Sequence, residues 1–304
     1  MTERVFQAVK DTVESLPKGR KFSVKGVLKK LGVSTSGYYN WLKHEPSEQE
    51  QRRNRIKSMI LDIYKKSHNI YGAPKITEIL HKKGEKISER TVTEYMHQLH
   101  IKACYIKHHT ITTISRDFSD KLKNLLNRDF NPDKPNAVWC TDITYIWTEE
   151  GFVYLSCIMD LYSRRIMAWE LSRTLETAAV IRAIEKALFN AGGATPKIIH
   201  TDRGVQYTSE EYRKFAEEIL LSYSGKGNPW DNACIESFHA LIKREWLNRF
   251  RIRDYEHAYN LVFEYIDTFY NTTRIHSHCD YLSPLNYEKK YYDTIKNKLN
   301  KAAA

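Results

Sequence analysis

Over the first hundred residues, hydrophobic positions recur at helical spacing. In FSVKGVLKKLGVSTSGYYNWLK (residues 22–43), Val24, Val27, Leu28 and Leu31 mark a short helix, and Gly32 is a suitable terminator. Ser34 is placed to cap a second helix that buries Tyr38, Trp41 and Leu42, the outline of a helix-turn-helix. A second helical unit begins with QRRNRIKSMILDIYKKS. It turns Ile56, Met59, Ile60 and Ile63 inward and Arg52, Arg53, Arg55, Lys57, Lys65 and Lys66 outward. Tyr71-Gly72-Ala73-Pro74 breaks the chain before KITEILHKKG, a helix ending near Gly84. ISERTVTEYMHQLHI, capped by Ser88, buries Val92, Tyr95, Met96 and Leu99. It leaves Glu89, Arg90, Thr93 and His97 on an outer face suited to a DNA groove.

Residues 108–135 read as a linker with one short helix around Asp120–Arg128, closed by NPDKPN, where prolines forbid a regular element. From residue 137 the period changes to two. AVWCTDITYIW alternates, and FVYLSCIMDLY and RIMAWELS also fit strands. TLETAAVIRAIEKALFNAGG is an amphipathic helix, PKIIHTD a short buried strand and SEEYRKFAEEI a helix. Longer helices are predicted over Asp231–Phe250 and Tyr255–Tyr270. This order predicts an α/β layer fold behind all-α helix-turn-helix domains. The expected segments are 1–46, 47–107, the 108–135 linker, a 136–250 core and a 251–304 helical tail.

Of the 304 residues, 41% are hydrophobic, enough to build a core and to exclude a wholly disordered chain. The net charge of +11 is unevenly placed: residues 1–135 hold 27 basic and 15 acidic side chains, residues 136–304 hold 21 and 22. One half is built to meet a polyanion. No stretch approaches the ~20 apolar residues of a spanning helix, and MTERVFQAVK lacks a signal-peptide core. Membrane partners are therefore not expected. Five widely spaced cysteines point to reduced thiols in a cytoplasmic protein. His97, His100, Cys104, His108 and His109 match no usual zinc-ligand spacing.

Three carboxylates change the picture. Asp142 sits inside a strand, in phase with Val138, Cys140, Thr144 and Ile146, where a lone buried charge is costly. Asp202 ends the strand IIHTD, where α/β folds gather ligand-binding side chains. Glu236 lies on a helix entered through Gly227-Asn228-Pro229 and capped by Asp231 or Asn232. Lys243 follows two turns later on the same face, beside the core positions Ile235, Phe238 and Ile242. Each acid alone has an ordinary reading as turn-former or ion-pair partner. Together they suit a hard cation such as Mg²⁺ acting on phosphate oxygens. No P-loop, G-x-S-x-G or H-E-x-x-H motif competes.

WCTDITYI, IMDLYSRRIMAWELS, HTDRGVQYTS, SYSGKGNPWDNACIESF and NTTRIHSHCDYLSPLNYE resemble, in order, bacterial insertion-sequence transposases of the DDE, retroviral-integrase-like class. The resemblance spans nearly the whole chain, since the helix-turn-helix segments look like that family's as well. It implies an RNase H-like core whose triad, here Asp142, Asp202 and Glu236, holds two Mg²⁺ ions, with Mn²⁺ as a possible substitute. Asp142 would bridge both ions. It also implies that Lys243 reaches DNA and that Asn232 supports the active-site end of the helix. His200, Gly204, Gln206 and Tyr207 would shape the site, and Asp160 would be structural. Implied partners are element terminal repeats and target DNA, further copies of the chain on paired ends, and an upstream helix-turn-helix or leucine-zipper product or fusion. The 33 residues between Asp202 and Glu236 are fewer than the family's usual number of about 35, and Cys279 replaces an apolar tail residue. The competing readings are a non-catalytic DNA-binding regulator, an inactive remnant, or a nuclease on the same fold.

Overall fold

The computed structural model describes residues 2–15, 22–43, 45–104, 122–225 and 228–302. Its contacts divide the chain into two units, residues 1–59 and 60–304.

In the first unit, helix α1 (Thr2–Ser15) joins α2 (Val24–Lys30) and α3 (Thr35–Leu42). The Ser23 and Ser34 hydroxyls accept the Gly26 and Gly37 N–H groups and start α2 and α3. Gly32, at φ +67°, turns the chain between them in a conformation side chains resist. Phe6 and Val9 of α1 pack on Leu28 and Tyr38, with the Phe6 ring edge-on to Tyr38 at 5.6 Å. Helix α1 has no counterpart in the sequence reading, and it claims the apolar face of the pair. Leu42, expected inside, is left 41% exposed and Trp41 only partly buried.

Helix α4 (Glu48–Lys66) runs through the division, which falls after Met59, whereas the sequence reading set a junction at 46/47. In the second unit follow α5 (Ala73–Lys82) and α6 (Glu89–Gln98). Pro74 lies in the first turn of α5, where its missing N–H costs nothing, and Ser88 caps α6. This segment is tied to the body that follows it. The Tyr71 hydroxyl accepts the Ile275 N–H at 2.9 Å, Lys82 Nζ donates to the Tyr281 carbonyl at 2.7 Å, and Cys104 Sγ–H donates to the Arg244 carbonyl at 3.3 Å.

The body is a five-stranded sheet in the order β3-β2-β1-β4-β5. Its strands are β1 (Val138–Thr148), β2 (Gly151–Asp160), β3 (Ile166–Ser172), β4 (Ile198–Thr201) and β5 (Leu220–Tyr223). The first three are antiparallel neighbours, and β4 and β5 run parallel to β1. Helices α7 (Thr177–Asn190), α8 (Val205–Thr208), α9 (Glu210–Phe215), α10 (Ala233–Glu245), α11 (Tyr255–Phe263) and α12 (Pro284–Ala302) complete it. On one face, Val180, Ala183, Ile184 and Ala187 of α7 meet Trp139, Ile158, Met167 and Ile199. Helix α10 also packs on β1.

The α/β expectation holds, with four differences. Strand β5 falls in the connection after the helix expected over SEEYRKFAEEI, where no element was expected, and α9 is shorter than that helix. Residues 108–121 lie outside the described residues. Residues 122–128 form no helix: 125–126 bend and 127–128 turn, with Asn127 and Arg128 at φ of 45° and 62°, a conformation that cannot continue a right-handed helix. The helix expected over Asp231–Phe250 enters as a 3₁₀ turn and breaks at Trp246. The one over Tyr255–Tyr270 widens to a π-helix from Glu264. Asp160 is structural: fully buried, it accepts the Asn136 N–H, the Ser163 N–H and the Ser163 hydroxyl at 2.9, 2.9 and 2.6 Å.

Candidate active site

The parallel ladder between β1 and β4 ends at the pair Thr141 and Thr201. The next residue on each side is an aspartate, so strand register alone sets Asp142 beside Asp202. Asp142 shares its face of β1 with Cys140, Thr144 and Ile146, all buried. Asp202 turns back on its own loop, Oδ1 accepting the Gly204 N–H at 2.8 Å. A Cβ on Gly204 would lie 3.0 Å from that oxygen, so the absence of a side chain there makes the close approach possible.

Helix α10 supplies the third acid. Ile235, Phe238 and Ile242 are buried as its spacing predicted. Glu236, His239 and Lys243, at i, i+3 and i+7, make the adjoining face. His239 Nδ1 lies 3.2 Å from Asp142 Oδ2, which docks this face against β1. The electrostatics report the same convergence. Burial and the Asp142 charge push Asp202 up to about 6. Burial, Asp142 and Asp202 together push Glu236 up to about 7. Burial draws the Lys243 amine down against the pull of Asp142. The structure thus brings Asp142, Asp202, Glu236 and Lys243 together.

Among the described residues, no three His, Cys, Asp or Glu side chains are already drawn close enough to grip a metal. The carboxylates feel one another, but one oxygen of Asp142 is turned to His239 and one of Asp202 to Gly204. The donor set nonetheless fits a hard divalent cation: three carboxylates, two of them with proton affinity raised by burial and by the neighbouring acids.

His239 escaped the sequence reading. Its signal was position, midway between Glu236 and Lys243 on one helical face. The ring is 6% exposed, and Nε2 is buried without a partner. Around the acids, His200 is fully buried with Nδ1 2.8 Å from Ser222 Oγ and Nε2 3.2 Å from Ser224 Oγ. Burial pulls it down to about 4, so it is a neutral brace. The Tyr207 hydroxyl meets Thr141 Oγ1 at 3.1 Å. Asp231 ties the entry to α10 by accepting from Arg128 Nε, Asn124 Nδ2 and the Gly225 N–H at 2.7, 2.9 and 2.8 Å. At its far end, Glu245 accepts from Arg274 Nε and Nη2 and from the Tyr265 hydroxyl, each at 2.7 Å. Burial works against the Glu245 charge, but Arg274 outweighs it and holds the carboxyl below its usual range.

Asn232, expected to contact DNA and to support the helix end, is 3% exposed and makes no capping bond; both its amide atoms are buried and unpaired. The 3₁₀ turn before α10 turns it inward. The other expected DNA contacts belong to other elements. Arg52, Arg53 and Arg55 are exposed on α4, Arg53 lying 3.6 Å from Glu50, and Arg90, Thr93 and His97 are exposed on α6. Of the histidine–cysteine group, His108 and His109 lie outside the described residues.

Residues 132–229 and 217–284 each match an integrase core domain family, and residues 51–109 match an HTH-like domain. The transposase of insertion sequence element IS904 from Lactococcus lactis is 35% identical over 80% of this chain and 97% of its own. Transposase InsF of IS3A from Escherichia coli is 33% identical over 89% and 95%. A 31 kDa protein of insertion element IS600 from Shigella sonnei is 34% identical over 86% and 97%. This chain belongs to the insertion-sequence transposases. Among solved structures, the HTLV-2 integrase catalytic core domain in complex with magnesium aligns with 52% of this transposase and 99% of its own chain, at 16% identity and TM-score 0.41. The short Asp202–Glu236 connection of this transposase still brings Glu236 within the field of both aspartates. No helix among its described residues is long and apolar enough to cross a membrane.

Proposed function

We propose that this transposase cleaves and joins DNA at insertion-sequence ends through Asp142, Asp202 and Glu236. The observation behind this reading is the register that sets Asp142 of β1 beside Asp202 at the end of β4, with the Glu236 face of α10 docked on Asp142 through His239. These acids would hold two Mg²⁺ ions, or Mn²⁺ in their place. When bound, the ions supply charge stabilisation for the attacking and leaving oxygens of a phosphodiester. The chain's own groups set the stage. The Gly204 N–H orients Asp202, His239 holds one oxygen of Asp142, and Lys243 offers its ammonium to the DNA phosphate. Water would attack the phosphorus at an element end, giving up its proton and displacing the 3′-oxygen as a free hydroxyl; that 3′-hydroxyl would then attack a second phosphodiester, its P–O bond forming as the bond to that strand's own 3′-oxygen breaks.

The basic helices of residues 1–46 and 47–107 anchor terminal repeats and target DNA; the 108–135 linker leads to the catalytic core at 136–250 and the tail at 251–304. Joining paired ends calls for more than one copy, working on nucleoid DNA in the bacterial cytoplasm, with an upstream helix-turn-helix or leucine-zipper product as a further partner. The test is strand transfer with Mg²⁺ on a library of candidate element ends, sequencing the joined products. Asp142→Asn, Asp202→Asn and Glu236→Gln should each cost on the order of 10³-fold while retaining DNA binding. Undiminished joining in all three overturns the proposal, and a wild type that binds ends but joins none returns the regulator or remnant reading.

A further inference from the structure

Beyond the pair Thr141 and Thr201, β1 is hydrogen-bonded to β2 alone. The β1–β2 hairpin therefore runs on past β4 with one face of its own. On the inner face, Ile146 and Val153 are each 3% exposed. The outer face of an antiparallel hairpin is ordinarily polar. Here it carries Tyr145, Trp147 and Phe152, exposed by 50%, 63% and 51%. Trp147 stands directly opposite Phe152, and Tyr145 opposite Tyr154. Their rings meet edge to face, with centroids 4.8 Å apart for the first pair and 5.3 Å for the second. Edge-to-face contact orders the rings without closing them off. A contiguous exposed aromatic patch on an otherwise well-packed body marks a binding surface.

Beside the patch runs a groove of about 620 Å³ lined by Tyr145, Trp147, Phe152, Lys243, Asn248 and Arg251. Lys243 also lies on the face of α10 that carries Glu236 and His239, the face docked on Asp142. The groove thus reaches the helix face that bears the third acid, and it pairs open aromatic faces with Lys243 and with Arg251, which is ion-paired with Glu149 on the groove's own wall. That combination recognises single-stranded nucleic acid, whose bases stack on rings while its phosphates meet positive charge. A surface for a protein partner has no need of a lysine shared with the reacting phosphate.

We propose that this groove takes unpaired nucleotides of the DNA strand being processed, with bases stacked on Trp147, Phe152 and Tyr145 and a phosphate at Lys243. The inference rests on the triad reading above, because Lys243 orients the strand relative to those acids. The test uses the full chain and fluorescence anisotropy on two probes, a blunt duplex and the same duplex carrying a short single-stranded extension. Trp147→Ala and Phe152→Ala should each weaken binding to the extended probe by about 10-fold. Blunt-duplex affinity and its salt dependence should stay unchanged, and Trp147→Phe should restore most of the loss. Both side chains are exposed, so thermal melting of the variants should match wild type.

Equal losses on both probes, or no loss on either, overturn the proposal. So does a variant that leaves DNA binding alone but shifts the sedimentation coefficient, which would make the patch a contact between copies. Strand transfer by Asp142→Asn separates the two levels. If that variant still joins ends, the triad reading fails, while the two-probe comparison stands or falls by itself.

Discussion

The substitution Asp202→Asn should stabilise the protein while removing a proposed catalytic group. Asp202 is pushed from 3.8 to about 6 by burial and by Asp142. At about 1.4 kcal/mol for each tenfold change in proton affinity, its charged form costs up to about 3 kcal/mol in the folded state. Water still reaches part of the carboxylate, so about half of that is a fair expectation. Asparagine keeps the oxygen that accepts the Gly204 N–H at 2.8 Å and discards the charge. The sign follows from the raised folded value. The favourable contribution of the protonated acid is complete below pH 3.8 and is lost as pH rises through about 6. The variant's advantage is therefore largest above pH 7 and vanishes toward pH 4. For a body of this size, about 1.5 kcal/mol raises Tm by roughly 3–6 °C. Differential scanning calorimetry in EDTA at pH 8, 6 and 4 measures it. Added Mn²⁺ at pH 8 should narrow the gap by stabilising wild type alone. A variant no more stable than wild type at pH 8, or an advantage independent of pH, refutes the reasoning.

Other consequences are equally direct. Glu245→Ala leaves Arg274, which is 4% exposed, without its partner and should cost about 3–5 kcal/mol at pH 7. Because the folded Glu245 carboxyl lies below its usual range, that cost should shrink as pH falls through the folded value; chemical denaturation below 1 kcal/mol at pH 7 would contradict it. His239→Leu removes the donor from Asp142 and should weaken Mn²⁺ binding, read by electron paramagnetic resonance, by about 10–100-fold. His239→Asn can present an N–H to the same oxygen and should recover most of it, whereas equal losses in both variants would reduce His239 to packing. Lys243→Ala should lower the salt-dependence slope of DNA binding by about 1, and an unchanged slope would place the amine off the DNA.

The parts of this molecule that were legible in the sequence are those where one local period carries the information. The alternation of β1 exposed Asp142 as an intruder on a buried face, and the spacing of Ile235, Phe238 and Ile242 gave α10 its core side and hence Glu236 its outer one. What stayed hidden depends on distant partners. Strand β5 is only four residues, Leu220–Tyr223, with Ser222 among them, and they become a strand because β4 lies alongside. Helix α1 does space Val5, Phe6, Val9 and Val13 at helical intervals, but the face they form has meaning only once α2 and α3 supply Leu28 and Tyr38 to pack on it. The pairing of Glu245 with Arg274 spans 29 residues, and no spacing rule connects them. Asn232 had the composition of a cap, but the preceding 3₁₀ turn swung it inward.

The ladder that sets Asp142 beside Asp202 also decides where this protein can change length over evolutionary time. Successive residues of a strand face opposite ways, so deleting a single residue of β1 ahead of Asp142 would turn its carboxylate toward the side of Trp139 and α7. No neighbouring loop could compensate. The connection from β5 to α10 is outside that ladder, and residues can be lost or gained there while helix docking on β1 still delivers Glu236. Insertions and deletions should therefore accumulate between the second and third acids and be purged between the sheet's start and the first.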